Sequence, residues 1–226
     1  MDIEITSGPA AAAAKVTLGT GETLTCEVGG MIAMDPGITV QTTTQKKGGG
    51  GFLKSVKRAF GGESLFLNHF TASADGQVMY VGPALVGDVC HHTLNGNTMI
   101  VQGSSWLASA ADIEIDGSFQ GIGKALFSGE GIFWVKCTGS GDLLLNSFGA
   151  IYAVDVDGEY TVDTGHIVAF EDSLQFRIGK SNPSLLGSMF GGEGLVCKFS
   201  GQGRLFCQTH NATGFGQRLG PHLKPR

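Results

Sequence analysis

Charge is the first scarcity. Of 226 residues, 15% are Asp, Glu, Lys or Arg, against about 25% in an average soluble protein. A surface so poor in charge is expected to be covered in part by another subunit. Positive charge is scarcer still: fifteen Lys and Arg against twenty Asp and Glu leave a formal net charge of −5. That sign argues against nucleic acid as a partner, because such binding rests on neutralising phosphates. Six prolines and the lack of a Gly-X-Y period exclude collagen and Pro-rich disorder. No apolar run reaches the roughly 18 residues of a membrane-spanning helix. The five cysteines (Cys26, Cys90, Cys137, Cys197, Cys207) are odd in number, scattered and without a C-x-x-C pair, so a disulfide framework is not expected. Met1-Asp2-Ile3-Glu4-Ile5 shows neither the basic nor the apolar region of a signal peptide. The expected setting is the cytoplasm, with the thiols reduced.

What is present is apolar residue and glycine. An apolar fraction of 42% and a mean hydropathy of +0.12 exclude a disordered chain, and the length suffices for a real core. The 37 glycines are more than twice the usual share of about 7%. Without collagen or disorder to absorb them, they point to many tight turns and so to β structure.

The chain also repeats itself. Phe60-Gly61-Gly62-Glu63-Ser64-Leu65-Phe66 returns as Phe127-Ser128-Gly129-Glu130-Gly131-Ile132-Phe133 and again as Phe190-Gly191-Gly192-Glu193-Gly194-Leu195-Val196. An apolar strand, a glycine turn and a second apolar strand follow each copy, the turns falling at Asp75-Gly76, Thr138 to Gly141 and Ser200 to Gly203. The preceding segments agree too: Gly30 to Met34, Gly103 to Ala108 and Gly165 to Phe170 each lead to a further apolar strand. We read one β domain over 1–226, built of three units of about 1–93, 94–157 and 158–226.

Tyr152, Val154 and Val156 alternate before Asp157-Gly158, and Tyr160 and Val162 alternate after it. That pattern predicts a hairpin with a two-residue turn. By the same logic Ser200-Gly201-Gln202-Gly203 would turn the chain and set Cys197 opposite Cys207 on adjacent strands, as two free thiols. Phe52, Leu53, Val56 and Phe60 share one face of a predicted helix, with shorter equivalents at Ile122 to Leu126 and Pro183 to Met189. Ala10 to Ala14 is helical by propensity but short and flanked by alternation, so its conformation is open. The basic segment Arg218 to Arg226 reads as a mobile tail.

With these motifs in order, and with Val162-Asp163-Thr164-Gly165-His166-Ile167-Val168-Ala169-Phe170, the chain from Ile3 to about Gln208 resembles the altered-inheritance-of-mitochondria number twenty-four family, in its bacterial and archaeal branch. The resemblance implies an all-β fold like that of the tryptophan RNA-binding attenuation protein. It implies packed sheets in a pseudo-threefold arrangement, a sandwich or prism of β-hairpin units, with one or two short helices and common assembly into oligomers. It implies no catalytic residues. The mitochondrial relatives are linked to organising inner-membrane complexes, a role that presupposes a presequence not seen at Met1. The fold name carries no RNA binding with it.

Few residues are candidates for chemistry. Glu63, Glu130 and Glu193, each after a glycine (Gly62, Gly129, Gly192), have two readings: a shared cation or ligand site on the pseudo-axis, or carboxylates that accept backbone N–H bonds in their own turns. Repetition within one chain says that the unit needs the residue, and we take them as structural. Cys90-His91-His92 is the one dense cluster of metal-binding side chains. It lacks the spaced partners of a zinc site, and neighbours on a strand point to opposite faces, so it is a weak metal candidate. Gly179-Lys180-Ser181 ends like a P-loop, but Leu174 stands where the first glycine belongs. No Gly-x-Ser-x-Gly elbow occurs. The basic stretch Lys46, Lys47, Lys54, Lys57 and Arg58 is a candidate contact for an anionic lipid surface or an acidic partner. The expected function is therefore that of a non-enzymatic, homo-oligomeric scaffold or interaction protein without a cofactor, a trimer or a multiple of it. The alternative is a small-ligand or metal-binding β protein.

Overall fold

A computed structural model of the protein describes residues 1–44, 66–117, 133–180 and 195–224. The predicted helices over 52–60, 122–126 and 183–189 lie outside these residues. So do the basic stretch from Lys46 to Arg58 and all three Gly-Glu pairs.

The architecture is all-β, and its unit is a long antiparallel pair. Strand β8 (Val89–Gln102) runs against β11 (Trp134–Asn146), and β12 (Ile151–Asp163) against β15 (Leu195–Gln208). After β8 and β12 a single 3-10 turn, Gly103–Ser105 or Thr164–His166, leads into a short third strand, β9 (Trp106–Ala110) or β13 (Ile167–Glu171). Each third strand lies along the C-terminal end of β11 or β15, while β10 (Ile113–Asp116) or β14 (Gln175–Lys180) pairs with the N-terminal part. Residues 2–81 follow the same pairing with both long strands broken in the middle. There β2 (Ala13–Leu18) and β3 (Thr23–Glu27) stand for the first strand, and β6 (Phe66–Ala72) and β7 (Gln77–Val81) for the last. The third strand is β4 (Met31–Met34) on β7, and β5 (Ile38–Thr44) pairs with β6. An N-terminal strand, β1 (Asp2–Thr6), adds to β2.

Register matches at the third strands. Met31, Ala33 and Met34 face Val81, Tyr80 and Met79; Trp106, Ala108 and Ser109 face Leu145, Leu144 and Leu143; Ile167, Ala169 and Phe170 face Cys207, Phe206 and Leu205. Each set skips one aliphatic residue at a bulge: Ile32, Leu107 or Val168. On their other sides β9 pairs with β3 and β13 with β8, so each joins the stretch before it. The result is a four-stranded sheet, β1-β2-β7-β4, and an eleven-stranded sheet that follows β12-β15-β13-β8-β11-β9-β3-β6-β5 with β10 and β14 beside β11 and β15.

Alternation fills the core. Ala14, Val16 and Leu18 of β2 are buried while the residues between them are not, as a half-covered sheet requires. Trp106, Phe70, Phe170 and Phe199 are the largest wholly buried side chains. Phe170 holds Trp134, Phe176 and Phe199 edge-on at centroid distances of 5.5, 4.8 and 5.1 Å, the geometry that aromatic quadrupoles favour.

Three expectations change. Asp157-Gly158 does not turn the chain: β12 is continuous, and Gly158 (φ +102°) faces Gly201 (φ +113°) of β15. The left-handed conformation that glycine permits bends a long strand here instead of closing a hairpin. Ser200 to Gly203 and Thr138 to Gly141 likewise lie inside β15 and β11, whereas Asp75-Gly76 does form a turn between β6 and β7. Cys197 and Cys207 are therefore on one strand, β15, and not opposed on adjacent strands. The tail also begins as structure: α1 (Ala212–Leu219) is capped by Asn211, whose Oδ1 accepts from the Thr213 and Gly214 amides at 2.9 and 3.2 Å. Ala13 and Ala14 open β2, which resolves the alanine run as strand at its end. The unit boundaries at 93/94 and 157/158 fall inside β8 and β12.

Candidate functional site

The pattern of β8 separates the three adjacent metal-site candidates. His91 Nε2 lies 2.7 Å from Asp142 Oδ1 across the strand pair. His92 instead stacks edge-on against Phe206 at 5.6 Å, and burial holds its pKa below the usual histidine value. Cys90 is half-buried, its thiol pushed up by burial. Among the described residues no three His, Cys, Asp or Glu side chains gather as a metal site.

The surface carries a clearer signal at β4. Met31, Ile32 and Met34 are 39%, 61% and 39% exposed, whereas Trp106, Leu107 and Ala108 of β9, and Ile167, Val168 and Ala169 of β13, are at most 1% exposed. Coverage explains the contrast. β9 is flanked by β11 and β3, and β13 by β15 and β8, but β4 ends its sheet with β7 as its one partner among the described strands. A shallow apolar groove of about 250 Å³, lined by Ile32, Leu85, Val86 and the alanines at 11–13, continues this surface.

A second feature is a cavity of about 240 Å³ where β3, β11 and β15 end, lined in part by Glu27, Ser105, Asn146, Ser147, Phe148 and Gln208. Most of its polar groups are committed. Gln208 accepts from the Phe148 amide and donates to the Gly165 carbonyl, both at 2.9 Å. The Ser105 hydroxyl donates to Gln102 Oε1 at 3.1 Å, and that of Ser147 to the Gly149 carbonyl. Glu27 and Asn146 differ: among the described residues neither side chain has a hydrogen-bond or ion-pair partner, although Asn146 is 7% exposed. Among the described residues no cation lines the cavity, and burial pushes the Glu27 carboxyl up to about 7. The composition-led reading did not single out Glu27. Its only sequence signal is its place at the end of the strand before Gly29-Gly30.

The strand layout defines the protein as an all-β molecule of two extended antiparallel sheets. A crystal structure of a Streptococcus pyogenes protein has the same fold: it superposes with a TM-score of 0.79 over 98% of this chain and 99% of that one, at 24% identity. A curated protein of S. pyogenes serotype M6 is 30% identical over 216 residues, covering 92% of this chain and 86% of the relative. Residues 3–210 match the family described as Mitochondrial biogenesis AIM24. The chain belongs to that family.

Proposed function

We propose that the protein is a non-enzymatic, self-associating β scaffold or interaction module, assembled as a trimer or a multiple of it. One observation carries this reading: β4 has the apolar composition of β9 and β13 but lies exposed where they are buried. Uncovered apolar edge strands are liabilities that proteins blunt with charge or cover with a partner, and Met31-Ile32-Ala33-Met34 contains no charge. The thrice-recurring strand pairing supports the three-unit reading, and five free thiols fit a reducing compartment. No described helix is long and apolar enough to cross a membrane. Light scattering at micromolar concentration tests the proposal: an oligomer is expected, and a mass near 23.5 kDa would overturn it.

The second reading, a small-ligand-binding β protein, has its own observation in the unpartnered Glu27 and Asn146. A largely apolar pocket with a few uncommitted polar groups is the usual form of a small-ligand site. Its test is calorimetric titration with a series of small primary amines, since a cation is what the Glu27 carboxylate lacks. Saturable heat that Glu27→Gln abolishes would support it, and flat titrations would set it aside.

A further inference from the structure

We propose that the copies join head to tail, β4 of one chain pairing antiparallel with the C-terminal half of β12 in the next, with Ala33 opposite Val162, Met34 opposite Thr161 and Asp35 opposite Tyr160. This rests on the self-association reading and names its interface.

The register follows from two junctions already formed inside the chain. At the first, β9 lies antiparallel to β3, with Ala108 opposite Cys26, Ser109 opposite Thr25 and Ala110 opposite Leu24. At the second, β13 lies antiparallel to β8, with Ala169 opposite Val101, Phe170 opposite Ile100 and Glu171 opposite Met99. In both, the third strand of one stretch takes the end of the first strand of the stretch before it. Counting along the chain makes the positions equivalent: Cys26 and Val101 each precede by one residue the last paired residue of their strands, Glu27 and Gln102, and Val162 holds that place before Asp163. On the third strands, Ala33, Ala108 and Ala169 hold the same register. Two junctions use β3 with β9 and β8 with β13. What remains is one third strand without a first strand, β4, and one first strand without a third, β12.

Among the described strands both leftover edges are open, and they are chemically suited to each other. β4 ends the four-stranded sheet and β12 ends the eleven-stranded one. Tyr160 is 39% exposed and Thr161 is exposed, while Val162 faces its own core as Cys26 and Val101 do. Farther back, the exposed face of β12 is occupied: Asp155 pairs with Arg204 at 2.8 Å and Asp157 accepts from Gln202 at 2.9 Å. The stretch 160–162 carries no charge, and neither does β4. Asp35, the one charge in the proposed register, already accepts from the Val78 amide at 2.8 Å, so a charged partner has little to hold there, whereas a second copy brings a matched uncharged strand. Because the two surfaces differ, the contact is heterologous, so the assembly closes as a ring or continues as a filament.

Cross-linking decides it. In a Cys90→Ser background, which removes the half-buried native thiol, Met34→Cys and Thr161→Cys are made as separate proteins and mixed before mild oxidation. Directly opposed positions have Cβ atoms about 4.5–5.5 Å apart, close enough for a disulfide after slight adjustment. The expected result is a covalent dimer from the mixture and none from either variant alone. Dimer from Met34→Cys alone would mean β4 pairs with β4, and overturns the proposal. So would a disulfide closed within one chain of the double variant. An oligomer by light scattering that gives no cross-link in the mixture overturns the proposed register while leaving self-association in place; a single-chain mass removes both. Met34→Lys gives an independent reading: it is expected to lower the mass toward one chain with the β signal in circular dichroism retained, and an unchanged mass counts against the β4 edge.

Discussion

Replacing Glu27 by Gln should stabilise the protein, and only above mildly acidic pH. The Glu27 carboxyl is raised from 4.5 to about 7 by burial in a cavity that offers it no cation. Between those values the folded chain holds a proton that the unfolded chain has released, so stability falls as pH rises through the window. Above pH 7 the penalty is complete. At about 1.4 kcal/mol per pH interval of one the limit is roughly 3 kcal/mol, and the solvent reaching a half-buried side chain reduces this to about 2 kcal/mol. Glutamine keeps the shape and cannot ionise. Urea unfolding of both proteins at pH 4.5, 6, 7 and 8 should therefore give coincident midpoints at the acid end and a growing separation above it. For a domain this long, about 2 kcal/mol corresponds to roughly 4–8 °C in thermal midpoint. A difference independent of pH, or a variant less stable at pH 8, would refute the desolvation argument and mean that the carboxylate has found a partner.

Other outcomes follow from backbone and thiol geometry. Gly87→Ala should destabilise severely, by about 3 kcal/mol or more, because the new Cβ would lie 1.7 Å from the Ser147 carbonyl oxygen; denaturant midpoints check this. Gly158→Ala meets open space but keeps φ at +102°, so about 1–2 kcal/mol is expected, and a loss as large as that of Gly87→Ala would contradict the steric argument. With a thiol reagent, native protein should expose Cys90 first, slowly, because Cys26, Cys137, Cys197 and Cys207 are wholly buried; denatured, non-reduced protein should titrate five thiols. Single Glu→Gln changes at Glu63, Glu130 and Glu193 should each lower stability modestly, by less than the ~1.5–3 kcal/mol of a charged hydrogen bond, and the triple change roughly additively; a stabilised triple variant would favour a shared, mutually repelling site.

Much of the fold was legible because strand faces are written with period two and the glycine-marked segments recur. The misread turns share one cause. Asp157-Gly158 and Ser200 to Gly203 carry the residues of tight turns, but a turn and a mid-strand bend ask the same thing of the backbone, a positive φ, and local sequence does not separate them. Only the partner does: Gly158 and Gly201 face each other across β12 and β15, so both strands run on through the positive-φ pair without breaking. In the first stretch the equivalent points do break, at Gly19 to Gly21 and at Asp75-Gly76. The edge at β4 was hidden for a related reason. Met-Ile-Ala-Met reads as core beside Trp-Leu-Ala-Ser and Ile-Val-Ala-Phe, and exposure depends on which strand lies alongside, which no local pattern records.

The two features left open both lie in the first stretch, one strand apart. Glu27, Gln102 and Asp163 occupy equivalent positions at the ends of β3, β8 and β12, four residues before the third strand begins. Gln102 Oε1 accepts from the Ser104 and Ser105 hydroxyls, and Asp163 Oδ1 from the Gly165 amide, so each closes the 3-10 turn that follows it. After Glu27 no 3-10 turn forms; the Gly30 amide donates to the Glu27 backbone carbonyl instead. The side chain is thereby released from the turn and left to line the cavity; separately, the strand beyond it, β4, lacks among the described strands the neighbour that covers β9 and β13. Three stretches of one pairing scheme cannot satisfy every junction while the row stays open: its last first strand and its first third strand have no such partner among the described strands. The first stretch, at one end of the row, is where the exposed apolar strand and the uncommitted carboxylate both lie.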